Sequence, residues 1–308
     1  AILLNAPINV LDALSCPVAL RGVTGGPTAL HRACCIGSSL DVISLLFRKW
    51  PDAIFENGYS DDKPLHCACG GASLDVISFL LETWPDAIHM TDSYCQTPLH
   101  YACSGGAGAS FDVVSLLLRK WPDAIKTKND VNRTPLHEAC ANGSSSDIIC
   151  MLFRGLPDAI NEKDITNQTP LHIYCNRYRE EVPLEDFLLL LEASLDFPEN
   201  RNTREVDSLK NSTCRRDEYV LLSHVSTLFS DEIDGTALKQ AMNHFIDINW
   251  WKGIWLVIKK YPAIIKNMDL HTNVMADLLY MVGKRCGLMT FWEVIKNEQE
   301  LLRGVEFL

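Results

Sequence analysis

The chain reads as an all-α solenoid of stacked helix-turn-helix units, and three observations lead there. A short phrase recurs as Thr28-Ala29-Leu30-His31, Lys63-Pro64-Leu65-His66, Thr97-Pro98-Leu99-His100, Thr134-Pro135-Leu136-His137 and Thr169-Pro170-Leu171-His172. Its histidines are spaced 35, 34, 37 and 35 residues apart. A second phrase keeps the same beat: Trp50-Pro51-Asp52-Ala53-Ile54, Trp84-Pro85-Asp86-Ala87-Ile88, Trp121-Pro122-Asp123-Ala124-Ile125 and Leu156-Pro157-Asp158-Ala159-Ile160. A fixed period of this length denotes supersecondary units stacked along one axis, each burying its apolar face on its neighbours.

Each unit can be justified residue by residue. Thr97 suits an N-cap, and Pro98 suits the first helical position, where no amide donor is needed. Leu99, Ala102 and Cys103 follow at helical spacing and define a buried face. The helix stops at Gly105-Gly106. Ser110, with Asp112 in the first turn, is expected to cap a second helix, and Ser39/Asp41, Ser73/Asp75 and Ser145/Asp147 repeat the arrangement. That helix is apolar nearly all round, so it is expected between neighbours. Trp121 closes it and Pro122 prevents its continuation. Repeat three carries extra residues from Gly106 to Ala109.

These phrases resemble the ankyrin repeat, whose hallmark is T-P-L-H-x-A followed by a second helix. The resemblance is strong over about residues 24–200 and weaker over 234–304. It implies an ankyrin solenoid with short hairpin loops, and a protein-recognition role on its concave side. The family's turn glycine is replaced by Asp61, Cys95, Asn132 and Asn167. Asn and Asp tolerate positive φ, so Cys95 is the odd one.

The expected organisation is a half-repeat over 1–22, read from residues 7–20, then five repeats over 23–195. Residues 196–217 are polar and read as a flexible insertion, with an extra helix at 218–229, inside a segment bounded at 233. From Asp234 the beat resumes in degenerate form: Thr236-Ala237-Leu238-Lys239 is a relic of the phrase, and Asn249 to Ile265 a second helix. A last pair at about 273–303 reads as a terminal cap of the 234–308 region.

Composition bounds the function. The chain is 47% hydrophobic and 22% charged, with net charge −11. That balance argues against general affinity for nucleic acid or anionic membrane. No apolar run reaches the roughly 18 residues a membrane span needs, and no signal-peptide pattern is visible. Twelve cysteines are present, and five (Cys34, Cys69, Cys103, Cys140, Cys175) fall on one repeat position. Buried free thiols there suit a reducing compartment, so the cytoplasm is expected, with the nucleus as the alternative.

The five His-x-x-Cys pairs have the spacing of metal ligands. The plainer reading is that each His bonds the adjoining turn's backbone while each Cys packs inside. A Cys-His nucleophile dyad is equally discounted, because catalysis needs one special place and this pairing recurs five times. No cofactor, metal or catalytic residue is expected. Trp250, Trp251 and Trp255 could form an aromatic platform, but core packing is the preferred reading.

The chain is therefore expected to be a non-catalytic, monomeric scaffold for a protein partner. The alternatives are a regulatory or targeting module of a larger enzyme or ubiquitin-ligase-type assembly, or a thiol or metal sensor. The residue after each His is expected to face outward. That groups Arg32 with Cys35 and Ile36, Tyr101 with Ser104 and Gly105, and Glu138 with Ala141 and Asn142. At the hairpin tips Tyr59, Tyr94 and Arg133 stand out as binding residues.

Overall fold

The computed structural model describes residues 27–105, 110–177, 184–213, 215–231 and 234–261. The expected half-repeat at 1–22, the extra residues 106–109 and the terminal cap at 273–303 lie outside the described residues. The structure is all-helical and divides into two compact units, Ala1–Tyr174 and Cys175–Leu308.

The first unit is a run of helix pairs: α1 (Ala29–Cys35) with α2 (Leu40–Lys49), α3 (Pro64–Cys69) with α4 (Leu74–Thr83), α5 (Pro98–Ser104) with α6 (Phe111–Lys120), and α7 (Pro135–Asn142) with α8 (Ser146–Gly155). A further short helix, α9 (Pro170–Cys175), repeats the opening phrase. Helices this short are marginal in isolation, so stacking must hold them. First helices pack on first helices, second helices on second helices. The buried columns are regular: Leu30, Leu65, Leu99, Leu136 and Leu171 in the first helices, and Val42/Ile43/Leu46, Val76/Ile77/Leu80, Val113/Val114/Leu117 and Ile148/Ile149/Leu152 in the second. Ala33, Ala68, Ala102 and Ala139 let neighbouring helices approach; in the fifth copy Tyr174 takes that place, where the first unit ends. The five column cysteines are buried and none is in a disulfide. Burial pushes the Cys34 thiol up to about 12, and the Cys69 and Cys103 thiols also upward.

Each second helix ends where the backbone turns extended. Trp50, Trp84, Trp121 and Leu156 sit at φ between −136 and −146°, each donating its amide to the carbonyl four residues back. The following proline opens a short 3-10 turn that buries Ile54, Ile88, Ile125 or Ile160. Trp84 meets Phe55 edge-on at 4.9 Å, and Trp121 meets His89 at 4.6 Å, so each Trp packs on the preceding repeat. The serines before these helices take the N-cap position with extended dihedrals, but their hydroxyls make no cap bond. Their fitness rests on backbone conformation and on the nearby Asp, not on the expected side-chain cap.

The second unit contains α10 (Leu184–Asp196), α11 (Thr203–Ser212), α12 (Arg216–Phe229), α13 (Gly235–Asp247) and α14 (Trp251–Lys260). Its hub is α12, which packs on the other four. The segment expected to be flexible instead forms α11. Asn202 caps it by accepting from the Glu205 amide at 2.9 Å, and Val206 and Leu209, three apart, bury its one apolar stripe. Glu218 is buried in α12; burial pushes its carboxyl up, against the Thr213 hydroxyl and Arg215, which donate to it at 2.6 and 2.9 Å.

The relic Thr236-Ala237-Leu238-Lys239 does not rebuild the opening phrase. Asp234 is the N-cap, Thr236 is already helical, and Lys239 is exposed where His would be buried. Trp250 is a core residue: its indole N–H donates to Glu192 at 3.0 Å and its ring meets Phe245 edge-on at 4.9 Å. Gly253 is required there, since a Cβ would lie 2.2 Å from the Trp250 ring. Trp251 and Trp255 are half-buried, with Lys252 and Lys259 over the Trp255 ring, so no flat platform forms.

Candidate functional site: the hairpin edge of the first unit

The histidine of each phrase ties helix to turn. In His100, Nδ1 accepts from the Thr97 amide at 3.2 Å and the Thr97 hydroxyl at 2.9 Å, while Nε2 donates to the Arg133 carbonyl of the next repeat at 3.1 Å. His137 is held the same way by Thr134 and the Gln168 carbonyl. His31 reaches the Asp62 carbonyl and His66 the Met90 carbonyl, both at 3.1 Å. A carbonyl only accepts, so Nε2 carries the proton and the ring must stay neutral. Burial lowers all four, His100 and His137 to about 4. Both ring nitrogens are thus committed to the fold, which is the plainer of the two sequence readings. In repeat two Lys63 replaces Thr; its ammonium crosses the turn to the Phe55 carbonyl at 2.7 Å and to Asn57.

Between the helix pairs the chain makes hairpins whose tips are joined. The Ser93 amide donates to the Ser60 carbonyl at 2.7 Å, Asp130 to Tyr94 at 2.9 Å, and Ile165 to Val131 at 3.1 Å. Each tip is fixed internally by a carboxylate or amide five residues before Thr. Asp92 Oδ1 accepts from the Tyr94 and Gln96 amides, Asn129 Oδ1 from Val131 and Arg133, and Asp164 Oδ1 from Thr166 and Gln168. Repeat two has Gly58 there, and Asp62 on the opposite arm supplies the acceptor to the Ser60 amide at 3.2 Å. Gly58 must be small, because a Cβ would lie 2.4 Å from the Asp62 carboxylate. Asp61, Cys95, Asn132 and Asn167 all turn through φ of 58 to 63°. Cys95 therefore adopts the left-handed turn like the others, held by the same bonds around it.

The structure separates the expected binding residues into two groups. Tyr59 is 76% exposed and Tyr94 50%, both at tips, and Arg32 is exposed on α1. The other three are partly or wholly spent inside. Glu138, expected to face outward, is only 9% exposed, because the residue after His faces the hairpin that leads into its own helix: it accepts from Asn129 and Asn142 and lies 3.9 Å from Arg133. Burial pushes its carboxyl up. Arg133 in turn donates to Asp164 at 3.2 Å. Burial alone would raise the Asp164 carboxyl, but the Thr166 hydroxyl, the Gln168 and Thr166 amides and Arg133 together hold it below its ordinary value. Tyr101 is half-buried; its hydroxyl donates to Asp92 at 2.9 Å and its ring meets His66 edge-on at 5.2 Å, and burial followed by that hydrogen bond raises its phenol. The sequence reading missed Ile165, 62% exposed at the next tip, although its place one residue from the Tyr94 position was visible.

The result is a rigid edge of joined hairpin tips carrying Tyr59, Tyr94 and Ile165, beside exposed Asp61 and Asp130. The fold and this edge define the class: a stacked helix-hairpin repeat array. Residues 85–164 match the family model of ankyrin repeats in three copies. That stretch carries ankyrin repeats, and the helix pairs on either side of it within the first unit repeat the same phrase. No curated protein matches it. Among the described residues no helix is long and apolar enough to cross a membrane.

Proposed function

We propose that the chain is a non-catalytic adaptor that holds a protein partner along the hairpin tips of repeats two to five. Ankyrin repeats are in general protein-interaction modules. One observation supports this reading above all. Exposed Tyr59, Tyr94 and Ile165 stand on tips that hydrogen bonds between repeats have already fixed. Side chains on a rigid frame lose little entropy on binding, and Tyr is among the types most often found as hot spots. Tyr101, Arg133 and Glu138 act here by holding the tips rather than by reaching a partner.

The test is a photocrosslinking amino acid placed at Tyr94, at Ile165 or at exposed Asp112, which lies at the opposite end of its repeat from the tip. In native lysate the two tip positions should capture a common protein band that the Asp112 position does not. Equal capture from all three, or capture from Asp112 alone, rules the edge out.

A further inference from the structure

A cleft of about 500 Å³ opens between α4 and α6, the second helices of repeats two and three, beside the turn that follows α4. Leu81, Ile88 and Leu116 give it an apolar lining, and Glu82, Asp86 and Lys120 give it charge. Neighbouring junctions fill the same place. At the junction before it, Phe47 and Phe79 hold the positions of Leu81 and Leu116, and their rings meet edge-on at 5.7 Å. Two leucines in place of two phenyl rings leave room. At the junction after it, Gly155 holds the position of Lys120 and packs so near Ile125 that a Cβ would lie 2.8 Å from that side chain. The charge pattern is particular as well. Arg48, Arg119 and Arg154 stand at the position of Glu82 in the other repeats, whereas Asp86 recurs as Asp52, Asp123 and Asp158. A position that elsewhere offsets the aspartate here doubles its charge. Glu82, Asp86 and Lys120 are exposed, and their side chains take no part in the hydrogen bonds and ion pairs within the described residues. The remaining titratable group of the lining, His89, rests edge-on against Trp121.

We infer that this cleft binds a free basic amino acid, arginine by preference. The lining presents two negative charges, on Glu82 and Asp86, and one positive charge, on Lys120. Arginine presents the reverse: the guanidinium and the α-ammonium are positive, and the carboxylate is negative. Each charge therefore finds its opposite, the two cations with Glu82 and Asp86 and the carboxylate with Lys120. The methylene chain between the two ends covers Leu81, Ile88 and Leu116, where apolar contact takes it out of water. A guanidinium holds a carboxylate through two parallel hydrogen bonds, which an ammonium cannot do, so lysine ranks second. The charged groups are open to solvent, so salt screens the attraction. The site lies on α4 and α6 and does not depend on the hairpin edge.

The experiment is calorimetric titration of the full chain with free L-arginine at pH 7.5 and low salt. L-citrulline, which keeps the shape but carries no side-chain charge, is the control. Arginine should bind about tenfold more tightly than citrulline, the worth of one charge-assisted pair, and should lose affinity as salt rises. Glu82→Arg, which restores the residue of the other repeats, should abolish binding. Leu81→Phe with Leu116→Phe, which copies the preceding junction, should abolish it too while keeping the parent's circular dichroism. Lys120→Ala, at an exposed position, should weaken arginine about tenfold and should not weaken agmatine, which lacks the carboxylate. Tyr94→Ala, at the hairpin edge, should leave arginine binding unchanged. Absence of saturable arginine binding, equal affinity for citrulline, or parent-like affinity in Glu82→Arg or in the double phenylalanine variant would overturn the inference.

Discussion

Acid should unfold the first unit through its histidines before its carboxylates titrate. His100 and His137 have an ordinary value of 6.5 and a folded value of about 4. Below pH 6.5 the unfolded chain takes up protons that the folded chain refuses. Stability is therefore complete above the unfolded value and is lost as pH falls from 6.5 towards 4. At pH 5 each site has lost about 2 kcal/mol, since one pH unit is worth about 1.4 kcal/mol per proton. The pair together removes about 4 kcal/mol, a large part of a typical 5–15 kcal/mol total. His31 and His66 are lowered as well and add to the loss, while Glu138, raised by burial, opposes it only near its own titration. The assay is urea unfolding followed by circular dichroism and by tryptophan fluorescence at pH 7.5, 6.5, 5.5 and 5. The double variant H100Q/H137Q should be weaker than the parent at pH 7.5, because its buried donors lose their acceptors, yet lose about 4 kcal/mol less than the parent on going to pH 5. A parent whose stability is flat from pH 7.5 to 5, or a double variant with the parent's slope, would refute the reasoning.

Three further outcomes follow from named contacts. Gly58→Asp should set two carboxyl groups against each other at the second tip and lower the melting temperature, whereas the same change with Asp62→Gln rebuilds the arrangement of repeat three and should recover most of the loss. Gly253→Ala should cost the second unit about 1–3 kcal/mol by overpacking against Trp250, read as a lower melting temperature and earlier proteolysis between 184 and 261. Leu136→Ala, fully buried in α7, should cost about 2–5 kcal/mol in urea unfolding; an unchanged midpoint would mean the leucine column does not carry the stack.

Much of this was legible in the sequence because repetition averages out local ambiguity. Five copies of Leu, His and Cys at fixed offsets define the buried face, and the expected histidine hydrogen bond to an adjoining turn is present, as with His100 and the Arg133 carbonyl. Other features are hidden for physical reasons. Gly58 breaks the Asp92, Asn129, Asp164 column, so the acceptor that shapes each tip does not read as a motif. Glu138 looks like an outward-facing acid on a helical wheel, but the hairpin leading into its own helix covers that side, and Arg133 and Asn129 draw it in. Helix α11 is nearly all polar, and two apolar residues three apart carry too little periodicity to separate it from a loop. Cys95 was judged a poor turn former from its own preference, yet the bonds of Asp92 and the tip ladder outweigh about 1–2 kcal/mol of local cost.

The most direct measurement is amide hydrogen exchange of the full chain with and without the protein captured at Tyr94. Bound partner should slow exchange across the tips at 58–61, 92–95, 129–132 and 164–166, and leave the second helices 111–120 and 146–155 unchanged. Slowing confined to those second helices, with the tips exchanging as in the free chain, would contradict the account.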